Sequence, residues 1–142
     1  PGNEHHDTNL RRLVSRLDVR DQVVFTGELE DVSTAYAALD ISVVASATPD
    51  PVGGVTIEWM AYGKPVVATN TGGTPEQVVD GDTGILVPPG DPRTMAQAID
   101  RLLADEQLRL QMGEMGRQRF LAQFTFEPYY KRFRGIIDEC VR

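Results

Sequence analysis

Apolar positions along the chain fall into two kinds of run. Leu10, Leu13, Val14 and Leu17 recur at helical spacing and predict a helix over residues 8–18. Val23, Val24 and Phe25 are consecutive and predict a short strand over 23–26 that ends at Gly27. Val32, Tyr36 and Leu39 return to helical spacing, so a helix is expected from a cap at Asp31 through Leu39. Strands are expected over 41–46, 65–69 and 84–87. Between them lie a helix over 55–62, stopped by Gly63, and one or two helical turns over 75–79. From Asp91 the chain reads as wholly helical, with an acceptor side chain at the cap and Pro92 in the first turn. Met95, Ala98, Ile99, Leu102 and Leu103 mark one apolar face, and further helices are expected over 105–120 and 128–141, giving a helical tail over about 105–142.

The predicted strands are apolar throughout rather than alternating, and they alternate with helices. Both features point to an α/β fold: a Rossmann-like parallel sheet with helices on both faces. Ligands of such sheets bind beyond the carboxyl ends of the strands. The loops at Gly27-Glu28, 47–54 and 70–75 stand at those ends.

Composition narrows the class. A length of 142 residues suits one domain, 1–142, and 41% hydrophobic with 25% charged residues suits a globular one. No run of apolar residues approaches the length of a membrane span, and no basic-then-apolar start suggests a signal peptide. A formal net charge of -7 argues against nucleic acid or an anionic membrane as partner. Cys140 is the only cysteine, which rules out a disulfide framework within the chain and a multi-cysteine zinc site. It fits a reducing compartment, so a cytoplasmic place is expected, with any contact to the inner face of a membrane peripheral. His5 and His6, the only histidines, lie in the polar start, so no serine–histidine–aspartate arrangement can be built. The arginines at 109, 117, 119, 132 and 134, interspersed with acids, are expected to be solvated, as is Lys64; Trp59 and the aromatics from Phe120 to Phe133 are expected to pack.

Chemistry concentrates in Asp50-Pro51-Val52-Gly53-Gly54-Val55-Thr56-Ile57-Glu58. The first acid is in a loop and the second is about one turn into a helix. Between them two glycines leave backbone N–H groups uncovered at a helix start, where orphan donors and the macrodipole both favour phosphate. Glu58 is then placed to accept bonds from a ribose diol, and Asp50 from a sugar hydroxyl. On spacing alone the pair is more simply read as an ordinary loop carboxylate and a solvated helix residue.

The flanking residues add to this reading. Asp50 and Glu58, then 60–69 (MAYGKPVVAT), then Gly72-Gly73-x-Pro75-Glu76, then Gly81-x-x-Gly84-x-Leu86-Val87, resemble the donor half of a retaining glycosyltransferase of family 4, the glycosyl transferases group 1 of GT-B fold. The resemblance runs from about Leu10 to Phe133. It implies transfer of a hexosyl group from a UDP-, GDP- or ADP-linked sugar to a sugar, lipid or other acceptor. It implies that Asp50 and Glu58 are the catalytic acids, holding the donor sugar and the ribose. Backbone groups at Val52, Gly53 and Gly54 would approach the sugar, and those at Val55 and Thr56 the diphosphate. The nucleobase would sit on Gly27, Glu28 and Leu29, largely through backbone. Neither metal nor cofactor is implied, and the acceptor would be held by a second, N-terminal domain.

Several positions depart from the family. Its first acid is usually glutamate; Asp50 is one methylene shorter, which removes roughly 1.3–1.5 Å of reach. Val52 stands where phenylalanine is usual and Trp59 where a small residue is usual. The opening strand with a Gly-Arg pair, and the helix preceded by a lysine, are not found in this chain. The expectation is therefore a truncated piece whose first two strands are absent, leaving 23–26 unpaired. Such a piece would be rearranged, incomplete or strand-swapped into a homodimer, and inactive by itself. On the same architecture a UDP-sugar epimerase, a phosphorylase or a noncatalytic nucleotide-sugar-binding or assembly module stays open; a pyridoxal-phosphate lysine has only Lys64 and Lys131 to draw on.

Overall fold

The structure is a computed structural model that describes residues 4–49 and 53–141. The chain divides between Val32 and Ser33 into two compact units.

The first unit holds helix α1 (Glu4–Arg16), a 3₁₀ turn (Arg20–Gln22) and an extended stretch. Helix α1 starts earlier than its apolar stripe predicts and gives way just before Asp18, which adopts a left-handed φ of 57°. The Arg11 guanidinium lies 4.1 Å from the centre of the Phe25 ring and donates to Asp7 at 2.8 Å. The strand expected over 23–26 does not form. Val23 has extended dihedrals (φ -118°, ψ 123°), yet no ladder is formed by this stretch and Val24 is 85% exposed. A strand is a property of a pair: without a neighbour its N–H and C=O groups take water, and extended backbone is all that remains.

The second unit runs α2 (Ser33–Ala38), β1 (Ser42–Val44), α3 (Gly54–Ala61), β2 (Val66–Thr69), α4 (Thr74–Gln77), β3 (Gly84–Val87), α5 (Pro92–Ala104), α6 (Glu106–Gln123) and α7 (Phe126–Cys140). Its three strands form a parallel sheet in the order β1-β2-β3, with Val43 beside Val67 and Val67 beside Ile85. Every residue of β2 is buried. Successive side chains point to opposite faces, so Val67 joins Val87, Ala98, Leu102 and Met112 on one side while Val66 and Ala68 join Met60 and Val78 on the other. Both faces are covered, which is why the strands carry no polar alternation.

Helix α3 is the crossover between β1 and β2. It closes in a Schellman turn: the Gly63 amide donates to Met60 O at 3.0 Å and the Lys64 amide to Trp59 O at 3.0 Å, with Gly63 at φ 66°. Helix α6 lies against it so closely that a Cβ on Gly113 would come within 2.0 Å of Gly63 O. Of the charged residues expected to be solvated, four arginines and Lys64 also bond the carbonyls of helix ends. Arg117 donates to Ala61 O at the end of α3, Arg119 to Glu76 O and Gln77 O of α4, and Arg109 to Leu102 O and Leu103 O of α5, each at 2.7–3.0 Å. Arg132 donates to Gln123 O, and Lys64 to Ala37 O of α2 at 2.7 Å. Terminal carbonyls lack intrahelical donors and carry the negative end of the macrodipole, so cations settle there. Arg134 pairs with Asp138 on the surface of α7. Phe120 and Phe124 pack against the core, whereas Phe126, Tyr129, Tyr130 and Phe133 on α7 are exposed.

The Gly113 contact yields a directed test. Gly113→Ala drives a methyl into backbone that cannot turn aside, and should cost about 1–3 kcal/mol. Gly135→Ala, in open space within α7, should instead stabilise by about 0.5–1 kcal/mol. Thermal unfolding followed by circular dichroism reads both; equal effects at the two sites would refute the close approach.

Candidate functional site

Parallel strands bring their carboxyl ends to one edge of the sheet, and three loops leave from it: the loop after β1, residues 70–73 after β2, and 88–91 after β3. Thr69 Oγ1 at the end of β2 donates to Ser46 O at 2.9 Å, tying the second loop to the first. The Asn70 amide donates to Val87 O at 2.7 Å, tying it to the third. A cleft of about 200 Å³ at this edge is lined by Ala45, Ala47, Thr69, Pro88, Asp91 and Met95.

Helix α3 begins from the first loop. Its N-cap is Gly53 (φ -68°, ψ 93°), which has no side chain to cap with, and among the described residues no side chain is seen to bond its first-turn amides. Helices α5 and α6 start differently. The Asp91 carboxylate accepts from the amides of Arg93 and Thr94, and Asp105 from that of Leu108. The Asp91 carboxyl is held below its ordinary range first by the Thr94 hydroxyl and then by these amides. Where α5 and α6 place an aspartate at the cap, α3 places a glycine. Gly54 is exposed, and Gly53 and Val55 are half-buried. Thr56 faces the other way: it is 1% exposed, and its Oγ1 is buried with no partner among the described residues. Its hydroxyl is thus turned away from the exposed end of the helix.

Glu58 is exposed and stands four residues after Gly54. Helical side chains lean back toward the N-terminus, so a residue covers the turn before it. Since Gly54 has no side chain, the Glu58 carboxylate settles over it: Oε1 lies 3.8 Å from where a Cβ of Gly54 would stand. Oε2 accepts a hydrogen bond from the Tyr36 hydroxyl at 2.9 Å. Tyr36 lies on α2, and its ring meets Trp59 and Tyr62 edge-on, with centroids 6.1 and 5.6 Å apart. Trp59 packs on the core as expected. Tyr36 was legible only as part of an apolar stripe; nothing local links it to an acid 22 positions on.

The structure thus brings Gly53, Gly54, Val55, Thr56 and Glu58 together on one end of α3. Asp50 and Val52 lie outside the described residues. Gly27, Glu28 and Leu29 belong to the first unit; all three are exposed, and Gly27 has φ 67°, a backbone shape that suits glycine. Gly73 caps α4, whose first turn carries Glu76, as the helix dipole favours. Among the described residues, no cluster of three or more His, Cys, Asp or Glu is disposed to hold a metal, and no helix is long and apolar enough to cross a membrane.

Comparison with known proteins gives a consistent set of matches. The family model described as "Glycosyl transferases group 1" matches residues 2–119. The lipopolysaccharide core biosynthesis glycosyltransferase LpsE of Rhizobium meliloti (strain 1021) is 35% identical over 126 residues, covering 89% of this chain and 37% of that protein. Sucrose-phosphate synthase from Thermosynechococcus elongatus superposes with a TM-score of 0.88 at 33% identity, over 99% of this chain and 36% of that one. HepE of Anabaena, solved in complex with UDP, superposes with a TM-score of 0.91 at 28% identity, over 97% and 38%; HepE has also been solved with UDP-glucose. The chain spans little more than a third of the length of each. The parallel sheet with its all-helical C-terminal stretch is that of a GT-B C-terminal half.

The phenol of Tyr36 reports the contact to Glu58. Its pKa is raised above the ordinary value near 10, first by the hydrogen bond to Glu58, then by desolvation and by the negative charges of Glu58 and Tyr62. A raised phenol favours the fold while protonated, so this contribution is complete below about pH 10 and is lost as pH rises through the folded value. Glu58→Gln should bring the titration of Tyr36 back down toward 10, read by the ultraviolet absorbance of tyrosinate. An unchanged titration would mean the contact does not form.

Proposed function

The chain belongs to the glycosyl transferases group 1 family, and from that premise we propose that the open end of α3 binds the donor of a retaining glycosyltransferase, a nucleotide-diphosphate sugar. The observation that carries this is the first turn of α3: a glycine at the N-cap, amides with no side-chain cap among the described residues, exposed Gly54, and the Glu58 carboxylate folded over it. Free amides at the positive end of a helix suit a pyrophosphate, and a carboxylate one turn on suits a vicinal diol. That HepE, with the same fold over 97% of this chain, has been solved with UDP supports the ligand class.

The parts take the following roles. The amides of Gly54, Val55 and Thr56 hold the diphosphate, and Glu58 accepts from the ribose hydroxyls. Val52 and Gly53 approach the sugar, whose hydroxyls Asp50 accepts. Backbone donors supply the positive potential, so no metal is needed to offset the leaving group. The bond from the anomeric carbon to the diphosphate breaks while the acceptor oxygen approaches on the same face. The departing phosphate oxygen takes the acceptor's proton, and configuration is retained. The acceptor is presented by a second domain of a longer protein.

Titration calorimetry of the full-length protein with UDP, GDP and ADP, and with their glucose conjugates, tests the reading. One of the three should bind, and Glu58→Ala should weaken it about 10–100-fold, as expected for hydrogen bonds to a charged acceptor. Binding of none, or an affinity indifferent to Glu58→Ala, would rule the site out.

A further inference from the structure

Glu58 is an exposed glutamate on a helix surface, a side chain that ordinarily samples many rotamers. Only those that bring the carboxylate to the first turn of α3 present it to a ligand there. A site populated for a fraction of the time binds with its affinity reduced by that fraction. Here one oxygen of the carboxylate is tethered to a neighbouring element. Tyr36 Oη donates to Oε2 at 2.9 Å, and Oε1 is left over Gly54.

The tether is itself braced. The Tyr36 ring is pinned edge-on between Trp59 and Tyr62, the residues one and four positions after Glu58 on the same polypeptide stretch. The end of α2 is bound by the Lys64 ammonium, which donates to Ala37 O. Tyr36 therefore has little freedom to swing away. The carboxylate keeps acceptor capacity, since each oxygen offers two lone pairs and the phenol takes only one of the four. A first contact held in place by packed neighbours is what a precise binding geometry requires.

We propose that Tyr36 is a positioning residue: it fixes the rotamer of Glu58 so that the carboxylate stands ready for the two hydroxyls of a ribose at the open end of α3. This rests on the donor-site reading above and goes beyond it by naming a residue on another helix that never touches the ligand.

Tyr36→Phe removes the hydroxyl and keeps the ring, so the contacts to Trp59 and Tyr62 persist. The full-length protein, wild type and Tyr36→Phe, is titrated with UDP, GDP and ADP and with the 2′,3′-dideoxy counterpart of each. For the nucleotide that binds, Tyr36→Phe should lower affinity about 3–10-fold, a fraction of the rotamer freedom regained. It should change affinity for the dideoxy compound, which lacks both hydroxyls, by less than about twofold. In a Glu58→Ala background Tyr36→Phe should have no further effect, because the group it positions is gone. Equal loss for ribo- and dideoxynucleotide would show a merely structural role and overturn the proposal, as would no loss, or a loss that persists without Glu58. If wild type binds no nucleoside diphosphate, the donor-site reading falls and this proposal with it; if wild type binds and Tyr36→Phe is silent, this proposal falls alone. A ligand-free measurement decides the matter even if the variant is unstable. Three-bond NMR couplings across the Glu58 side chain should report one rotamer in the wild type, and averaged couplings there would overturn the proposal.

Discussion

The backbone of α6 touches that of α3 where Gly113 meets Gly63, and the disposition of the site follows from that contact. It seats the carboxyl end of α3 inside the unit, where the Gly63 and Lys64 amides and the Arg117 guanidinium take its last carbonyls. A helix has unsatisfied groups at both ends. Here one end is satisfied by the protein, and the other, at the carboxyl edge of the sheet, has a glycine N-cap and no side-chain cap among the described residues. Packing thus determines which end of the dipole is consumed within the unit. A larger residue at position 113 would separate the helices before it altered any group that touches a ligand.

Much of this was visible in the order of apolar residues. β3 occupies the four positions predicted for it, β2 loses only Pro65 from its predicted run, and α3 begins and ends one residue before the helix inferred from Gly63. Those elements are legible because each is specified by its own residues: a buried strand by continuous apolar side chains, a helix stop by glycine. The stretch 23–26 has the same apolar content and forms no strand, because pairing depends on a neighbour that local composition does not report. The α1 stripe likewise gives the right helix but not its burial: Leu10, Leu13 and Leu17 are 39–59% exposed. Of the site, the glycine pair and the acid that follows were readable from spacing. The direction of Thr56 into the core, and the phenol that holds Glu58, were not.

The arginines show the same limit more sharply. Arg109, Arg117, Arg119 and Arg132 are scattered among acids, the ordinary pattern of a solvated helix face. Each nevertheless reaches a terminal carbonyl of a helix, on α5, α3, α4 and α6 respectively. Which carbonyl lies within reach is set by how the helices pack, so no reading of neighbouring residues reveals it. The consequence bears on the electrostatics of the site. These cations, with Lys64 on α2, stand at carbonyl ends, and none of the five supplies the positive potential at the first turn of α3. That potential comes from the helix's own amides.

Trp59 joins these strands. It occupies a position where the family usually has a small residue, and its indole Nε1 is buried with no partner among the described residues. An unsatisfied buried donor costs about 1–3 kcal/mol. Against that stands the packing of a large, half-buried ring on the core cluster of Met60, Val66, Ala68 and Val78, where a side chain of that size contributes about as much. The same ring is the edge partner of Tyr36. The unusual residue is therefore next in sequence to Glu58 and in contact with the phenol that bonds it, so a residue that packs on the core also braces the carboxylate proposed to hold the ribose. A small residue at 59 would leave Tyr36 with Tyr62 as its one aromatic neighbour, and the carboxylate over Gly54 correspondingly less well fixed.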